Sequence, residues 1–367
     1  MSHSDPLDVD EDLLKARTPK PEFYLEPLWH RRVVERVFAR TWHWLADAES
    51  VAPAAFARPA TLAPGSLSEP LVLVRDEHHH LRALSNVCTH RGALVCEAAG
   101  HVKRLRCPYH GRRFELGGHC TSMPEFEDVE GFPSPVDHLA RVALAERGPL
   151  LFASLAPAHE FDAWFGVLAP RLAHLPIARA RYDASRSRDF EVEAHWALYC
   201  ENYLEGFHIP FVHPALAKAV DYASYRTELH PFGSLQIGEA LGEDPAIVPP
   251  EGAPDEGRRI AGYYALLFPA TMLNVYPWGL SLNAVQPLSP TRTRVRFRSY
   301  VWDPELLGRG AGGDLAQVEF EDEHVVRSVQ TALAARLRPR GRYSPTRETG
   351  VHHFHRLLAR FLTEARA

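Results

Sequence analysis

Between residues 26 and 46 the chain reads EPLWHRRVVERVFARTWHWLA. Apolar residues return there every three or four positions, and this spacing predicts a helix. From about Ser50 to Leu155 the period shortens. Runs such as LVLVRD and HLRALSNV are broken by Gly, Pro and acidic residues, the pattern of short β-strands and turns. Beyond Pro157 the β pattern continues in RDFEVEAHW, SLQIGEAL, GYYALLF, MLNVYPWG and TRVRFRSYVW. In the last of these Arg294, Arg296 and Arg298 alternate with Val295, Phe297 and Ser299, which predicts a strand with one wet face. Two helical stretches interrupt the strands: ALYCENYLEGFH near 197–208 and DLAQVEFEDEHVVRSVQTALAARL near 314–337. GEDPAIVPPEGAPDEGRR, residues 242–259, reads as a long loop, either a surface insertion or an active-site lid. The pattern divides the chain into a tail and helix (1–45), a small β-rich unit (46–156) and a larger unit (157–367).

Composition agrees with two globular units: 367 residues, 46% apolar and 24% charged, are enough to bury a large core. The formal net charge of −5 argues against nucleic acid or an anionic membrane as the main partner. The chain opens MSHSDPLDVDEDLLKARTPK, acidic where a secretory signal would be basic and then apolar, and no apolar run reaches membrane-spanning length. The expectation is a soluble cytoplasmic protein. Five cysteines, an odd number, make a poor disulfide framework.

Two of those cysteines change the picture. CTHRGALVCEAAGHVKRLRCPYHG, residues 88–111, contains C-x-H and C-x-x-H pairs separated by sixteen residues. Structural zinc usually takes Cys-Cys and His-His pairs. One sulfur and one nitrogen from each of two loops is what a [2Fe–2S] cluster needs when two thiolates hold one iron and two imidazoles the other. Cys88 and Cys107 are assigned to the first iron, His90 and His110 to the second. The glycines in THRG and YHG fit tight ligand loops, and Pro108 stiffens the second.

This stretch resembles a Rieske domain, and its details resemble the Rieske oxygenases. Tyr109 stands where respiratory Rieske proteins place a disulfide cysteine, and Cys96 and Cys120 read as ordinary small residues. The relatives usually carry Trp after His-Gly; Arg112 stands there instead and is expected to touch packing or subunit contacts rather than ligation.

In the larger unit HWALYCENYLEGFHIPFVHP places His208 and His213 five residues apart across a helix end. Two histidines and one carboxylate on one face of an iron leave positions open for oxygen and substrate. The segment is similar to the catalytic-iron motif of Rieske oxygenase α subunits, matched here by Asn202, Glu205, His208 and His213. The resemblance implies that Glu205, on the same helical face as His208, orients a ligand and bridges to the Rieske histidine of a neighbouring subunit. It places the third ligand at Asp322, in EFEDEHVVRSVQ, with Glu321 and Glu323 read as a solvated acidic helix start. His195 is read as a packing residue. GRGAGG (308–313) matches a dinucleotide fingerprint literally but opens no βαβ unit, so it is read as the loop delivering the Asp322 helix.

The resemblance covers nearly the whole chain and implies an α+β protein: an N-terminal all-β Rieske domain and a C-terminal helix-grip, START-like antiparallel-sheet domain with mononuclear Fe(II). It implies the terminal oxygenase of a multicomponent system, in a homotrimer, without nucleic-acid or membrane partners. Electrons from NAD(P)H would arrive through a separate reductase or ferredoxin, pass one at a time through the cluster, and cross by His90 or His110 and Glu205 to the iron, where O2 is activated. The expected reaction is hydroxylation or N/O-demethylation of a small organic molecule, with choline and carnitine monooxygenases as one matching branch. Ring cis-dihydroxylation is the alternative within the family, and a Rieske electron carrier without catalytic iron the alternative outside it. Tyr263, Tyr264, Phe268, Tyr276 and Trp278 are aromatic enough for a cation–π cage, a flat aromatic pocket or plain core.

Overall fold

The computed structural model describes residues 6–364, so the first five residues of the acidic tail and the last three of the chain lie outside it. It separates into two compact units, one of Trp42–Pro157 and one formed by residues up to Thr41 together with those from Ala158 onward.

In the first unit seven strands form one antiparallel sheet, ordered His43–Asp47, Leu150–Ser154, Arg141–Arg147, Leu81–Ser85, Glu69–Arg75, Phe56–Leu62 and Gly100–His101. A three-stranded sheet of Leu105–Arg106, Arg113–Phe114 and Cys120–Ser122 carries the second Cys/His loop. The alternation in LVLVRD buries Val72 and Val74 in one core with Leu84, Leu105, Phe114, Cys88 and Cys107.

The helix expected over 26–46 is shorter than its spacing predicts. It runs Pro27–Arg36, followed by a 3₁₀ turn at Phe38–Arg40 and a strand at His43–Asp47. That strand pairs antiparallel with Leu150–Ser154. The Trp-His-Trp-Leu run suits a half-buried pleat as well as a helix, and the distant ladder decides between them.

The second unit is built on seven antiparallel strands, ordered Arg181–Val192, Arg292–Val301, Gly279–Ser289, Thr271–Tyr276, Ile260–Leu267, Gly233–Glu239 and Arg226–His230. The wet face read from the arginine alternation is cross-linked: Arg294 pairs with Glu191 and Arg298 with Asp189, each at 2.7 Å. Helix Thr349–Thr363 lies on the strands at the far edge and buries Phe354, Leu358 and Phe361. At Gly350 it lies close to the end of the Trp196–Tyr203 helix, where a Cβ would stand 2.7 Å from the Leu204 carbonyl oxygen.

Loop 242–259 is pinned. Asp255, at φ +65°, reaches inward; one oxygen lies 2.8 Å from Arg171 Nε and the other bonds Arg226. Arg171, itself buried, also takes Glu228 at 2.8 Å. The segment is latched by buried charge.

Candidate active site

The two Cys/His loops have one design. Gly92 N–H donates to the Cys88 carbonyl (2.9 Å) and Cys88 N–H to the Ala93 carbonyl (2.8 Å); Gly111 N–H donates to Cys107 (3.1 Å) and Cys107 N–H to Arg112 (2.9 Å). Both glycines sit at φ +76°, a conformation that side chains resist, which is why each loop has glycine there. Cys88 and Cys107 are buried, and the rings of His90 and His110 lie 4.9 Å apart between centroids. His110 Nδ1 is buried without a hydrogen-bond partner. Burial, then the charges of His110 and Arg112, holds His90 below its ordinary value, so the imidazole stays neutral. Two thiols and two imidazoles, with a buried ring nitrogen otherwise left unpaired, fit the donor set of a mixed-ligand [2Fe–2S] cluster.

Arg112 has a task the sequence did not disclose. Only 3% exposed, it follows the second loop directly and donates to Thr89 Oγ1 of the first (2.8 Å) and to Asp137 (3.1 Å). Its guanidinium lies 5.1 Å from the Phe132 ring centroid and 5.6 Å from that of Phe126. It is a charged brace between the two ligand loops. All five cysteines are unpaired.

The second site is assembled from two helices and a turn. His195 caps helix Trp196–Tyr203, its Nδ1 accepting from Ala197 N–H at 3.2 Å. It is 1% exposed and burial pushes its pKa down to about 3, as befits a neutral packing residue. The helix predicted over 197–208 ends at Tyr203, so Glu205 and His208 are joined by a turn rather than a helical face. Glu205 accepts from His208 N–H (3.1 Å) through one oxygen and lies 2.7 Å from His208 Nδ1 through the other. Those two bonds offset the helical bonds lost there, and Pro210 starts the next short turn, Ile209–Val212.

Helix Leu315–Ala332, capped by Asp314, brings the acidic run across. GRGAGG is the loop that leads into it: Gly312 presses on Trp278 so closely that a Cβ would fall 2.4 Å from the indole nitrogen. Asp322 Oδ1 lies 3.0 Å from His213 Nε2 and 3.6 Å from His208 Nε2, and accepts from Asn202 Nδ2 at 2.6 Å. One potential ligand atom each from His208, His213 and Asp322 falls within a mutual 4.8 Å.

Glu321, read from the sequence as solvated, instead lies 2.7 Å from His213 Nδ1, its other oxygen held by Gln317 at 2.8 Å. Both histidines therefore turn Nε2 toward Asp322 while a carboxylate takes Nδ1. Burial opposes charge on His213, but Asp322 and then Glu321 outweigh it and raise its pKa. Two imidazole nitrogens and a carboxylate oxygen converge there, a set that a divalent cation satisfies.

A cavity of ≈ 90 Å³, room for several waters, opens beside these residues. Tyr199, Tyr203, Tyr225, Tyr264 and Tyr276 are among the residues that line it. Of the five aromatics singled out by sequence, Tyr264 and Tyr276 line it, while Tyr263, Phe268 and Trp278 are buried outside it. Glu319, which the sequence reading passed over, also lines it. Its carboxylate bonds the Tyr199 hydroxyl and takes Asn283 Nδ2 at 3.0 Å. Burial above all pushes its pKa up to about 7. The signal was present in VEFED: Glu319 and Asp322, three apart, share a helical face.

A mixed Cys/His loop pair in one unit and a two-histidine, one-carboxylate set beside a cavity in the other define a Rieske-type terminal oxygenase. Residues 177–364 match the family model of the ring hydroxylating alpha subunit (catalytic domain), and residues 41–133 that of the Rieske [2Fe-2S] domain. The chain belongs to the ring-hydroxylating α-subunit family, whose members carry a Rieske cluster and mononuclear iron and draw electrons from an external donor. It is 29% identical to the carnitine monooxygenase oxygenase subunit of Escherichia coli K12, covering 94% of each chain. With the chloroplastic choline monooxygenase of Arabidopsis thaliana it shares 27% identity, over 94% of this chain and 83% of the relative. A crystal structure of a quaternary ammonium Rieske monooxygenase in complex with L-carnitine superposes with TM-score 0.77 at 24% identity, covering 98% of this chain and 99% of that one. Among the described residues no helix is long and apolar enough to cross a membrane.

Proposed function

We propose that the protein hydroxylates or N-demethylates a small quaternary ammonium compound. The observation that carries this reading is the convergence of His208, His213 and Asp322 beside a cavity lined by five tyrosines, aromatic rings that suit an N-methylated cation. The relatives named for choline and carnitine oxidation lend it support.

We assign Cys88, Cys107, His90 and His110 to the cluster and His208, His213 and Asp322 to the iron. Fe(II) in that set supplies O2 activation. The chain's own contribution is position. Asn202 fixes the Asp322 carboxylate, Glu205 and Glu321 fix the two imidazoles, and the tyrosines hold substrate beside them. We further assign Glu205 the coupling of the mononuclear site to the cluster of a neighbouring subunit in a homotrimer, with a separate reductase or ferredoxin as NAD(P)H-driven donor. The unpaired cysteines support a cytoplasmic location.

Iron and acid-labile sulfide per chain, measured on anaerobically purified protein beside Asp322→Ala, test the assignment. About three irons and two sulfides, falling to two irons in the variant, are expected. Two irons in both after reconstitution would leave only an electron carrier. A surrogate reductase with O2 and a quaternary ammonium compound should then yield product in the wild type alone; turnover of an arene to a cis-diol instead would replace the substrate reading.

A further inference from the structure

The charge inventory of the cavity is one-sided. Glu319 is 8% exposed, and its hydrogen-bond partners, the Tyr199 hydroxyl and the Asn283 amide, are neutral. Among the described residues no Lys or Arg lines the space. The guanidinium of Arg188 acts on Glu319 but belongs to the neighbouring strand surface, where it reaches the Ala316 carbonyl at 3.5 Å. Glu205, Glu321 and Asp322 are each engaged with an imidazole. Even with a divalent cation among the ligands, the cavity-lining carboxyl groups of Glu205, Glu319 and Asp322 outnumber its charge when ionised. A buried carboxylate without a cationic partner is costly, so burial holds Glu319 partly protonated near neutral pH, and a cation entering the cavity draws it to the charged form.

The neutral polar groups point the same way. Gln236 Nε2 is spent on the Tyr203 carbonyl (2.5 Å) and Asn283 Nδ2 on Glu319, which leaves Gln236 Oε1 and Asn283 Oδ1 buried and unpartnered. Both are acceptors and both residues line the cavity. They suit a hydroxyl or another donor on the substrate and have nothing to offer a carboxylate; the Tyr264 hydroxyl, also buried and unpartnered in the lining, can donate or accept, so refusal of a carboxylate falls to Glu319.

We infer that the cavity selects a small organic cation bearing a hydrogen-bond donor and no carboxylate, with Glu319 as its counter-charge. The inference rests on the quaternary-ammonium reading above and narrows it: an amino-alcohol cation of the choline type is taken, and a zwitterion of the carnitine type is refused. Glu319 stands on the same helical face as Asp322, one turn earlier, so the charge it binds is held beside the iron ligands.

The test is equilibrium binding by calorimetry to anaerobic, iron-loaded protein, wild type and Glu319→Gln, with choline, its neutral isostere 3,3-dimethylbutan-1-ol, and L-carnitine. Wild type should bind choline at least about tenfold more tightly than either of the others, the scale of one lost charge-assisted contact. Glu319→Gln should lose about tenfold for choline, leave the neutral alcohol unchanged, and keep its iron and its cluster spectrum. Equal binding of choline and L-carnitine, or a variant that binds choline as the wild type does, overturns the role of Glu319 and leaves the quaternary-ammonium reading standing. Preference for the neutral alcohol, or binding of none of the three, overturns both. Should Glu319→Gln fail to hold iron, the wild-type ranking of the three ligands decides alone.

Discussion

Replacing Glu321 by Gln should loosen the iron site without touching a ligand. The carboxylate lies 2.7 Å from His213 Nδ1, on a ring that is 1% exposed, and its other oxygen is fixed by Gln317. As the acceptor it keeps the His213 proton on Nδ1 and frees Nε2 to face Asp322, 3.0 Å away. A glutamine amide in that place can donate to Nδ1, which shifts the proton to the nitrogen a metal needs. Loss of such an orienting carboxylate costs about 10–100-fold in metal affinity, or about 1.4–2.7 kcal/mol. The assay is equilibrium Fe(II) binding against a competing chelator under anaerobic conditions, with the cluster spectrum as the control for folding. Affinity within about twofold of wild type, the cluster being intact, would refute the reasoning and return Glu321 to the solvated face its sequence context first implied.

Asp255→Asn should loosen the 242–259 latch by removing the carboxylate that two arginines share, Arg226 keeping Glu239 at 3.2 Å. Glu228 remains to Arg171, so a stability loss of about 2–3 kcal/mol is expected, below the roughly 3–5 kcal/mol of a fully broken buried pair, and chemical denaturation with limited proteolysis of the loop measures it. His195 carries an acid sensitivity: folded, it stays neutral to about pH 3, whereas the unfolded chain takes up a proton near 6.5. The unfolded state thus binds more protons between those values, and stability falls as pH falls through that window, by about 2 kcal/mol at pH 5. Urea midpoints at pH 7 and 5 should show a loss smaller by about that amount in His195→Asn, which keeps a capping oxygen without a titrating ring, the remainder coming from other histidines such as His159, whose pKa burial pushes down to about 4. Gly350→Ala should force its new methyl against the Leu204 carbonyl, beside the Glu205 turn. Thermal unfolding should report about 1–3 kcal/mol lost to overpacking, and iron content should drop with it.

What the sequence determined by itself is local. Each Cys/His loop closes on its own glycine within five residues, so C-x-H-x-G and C-x-x-H-G carry their geometry with them. The strand Arg292–Val301 was legible because alternation writes burial directly into the chain, while its neighbours such as Thr271–Tyr276 were legible as short apolar runs buried throughout. Long-range contacts decided the rest. Residues 43–47 became a strand because Leu150–Ser154 lay ready to pair with them, a partner more than a hundred residues away. Glu321 and Asp322 are adjacent in sequence and about 100° apart around their helix, yet they reach the two nitrogens of one imidazole because His213 is inserted between them from another element. Glu319 became a cavity carboxylate only when Tyr199 and Asn283 closed around it. An acidic run such as EFEDE holds no mark of which oxygen meets water, metal or substrate, because that depends on what packs against each face of the helix.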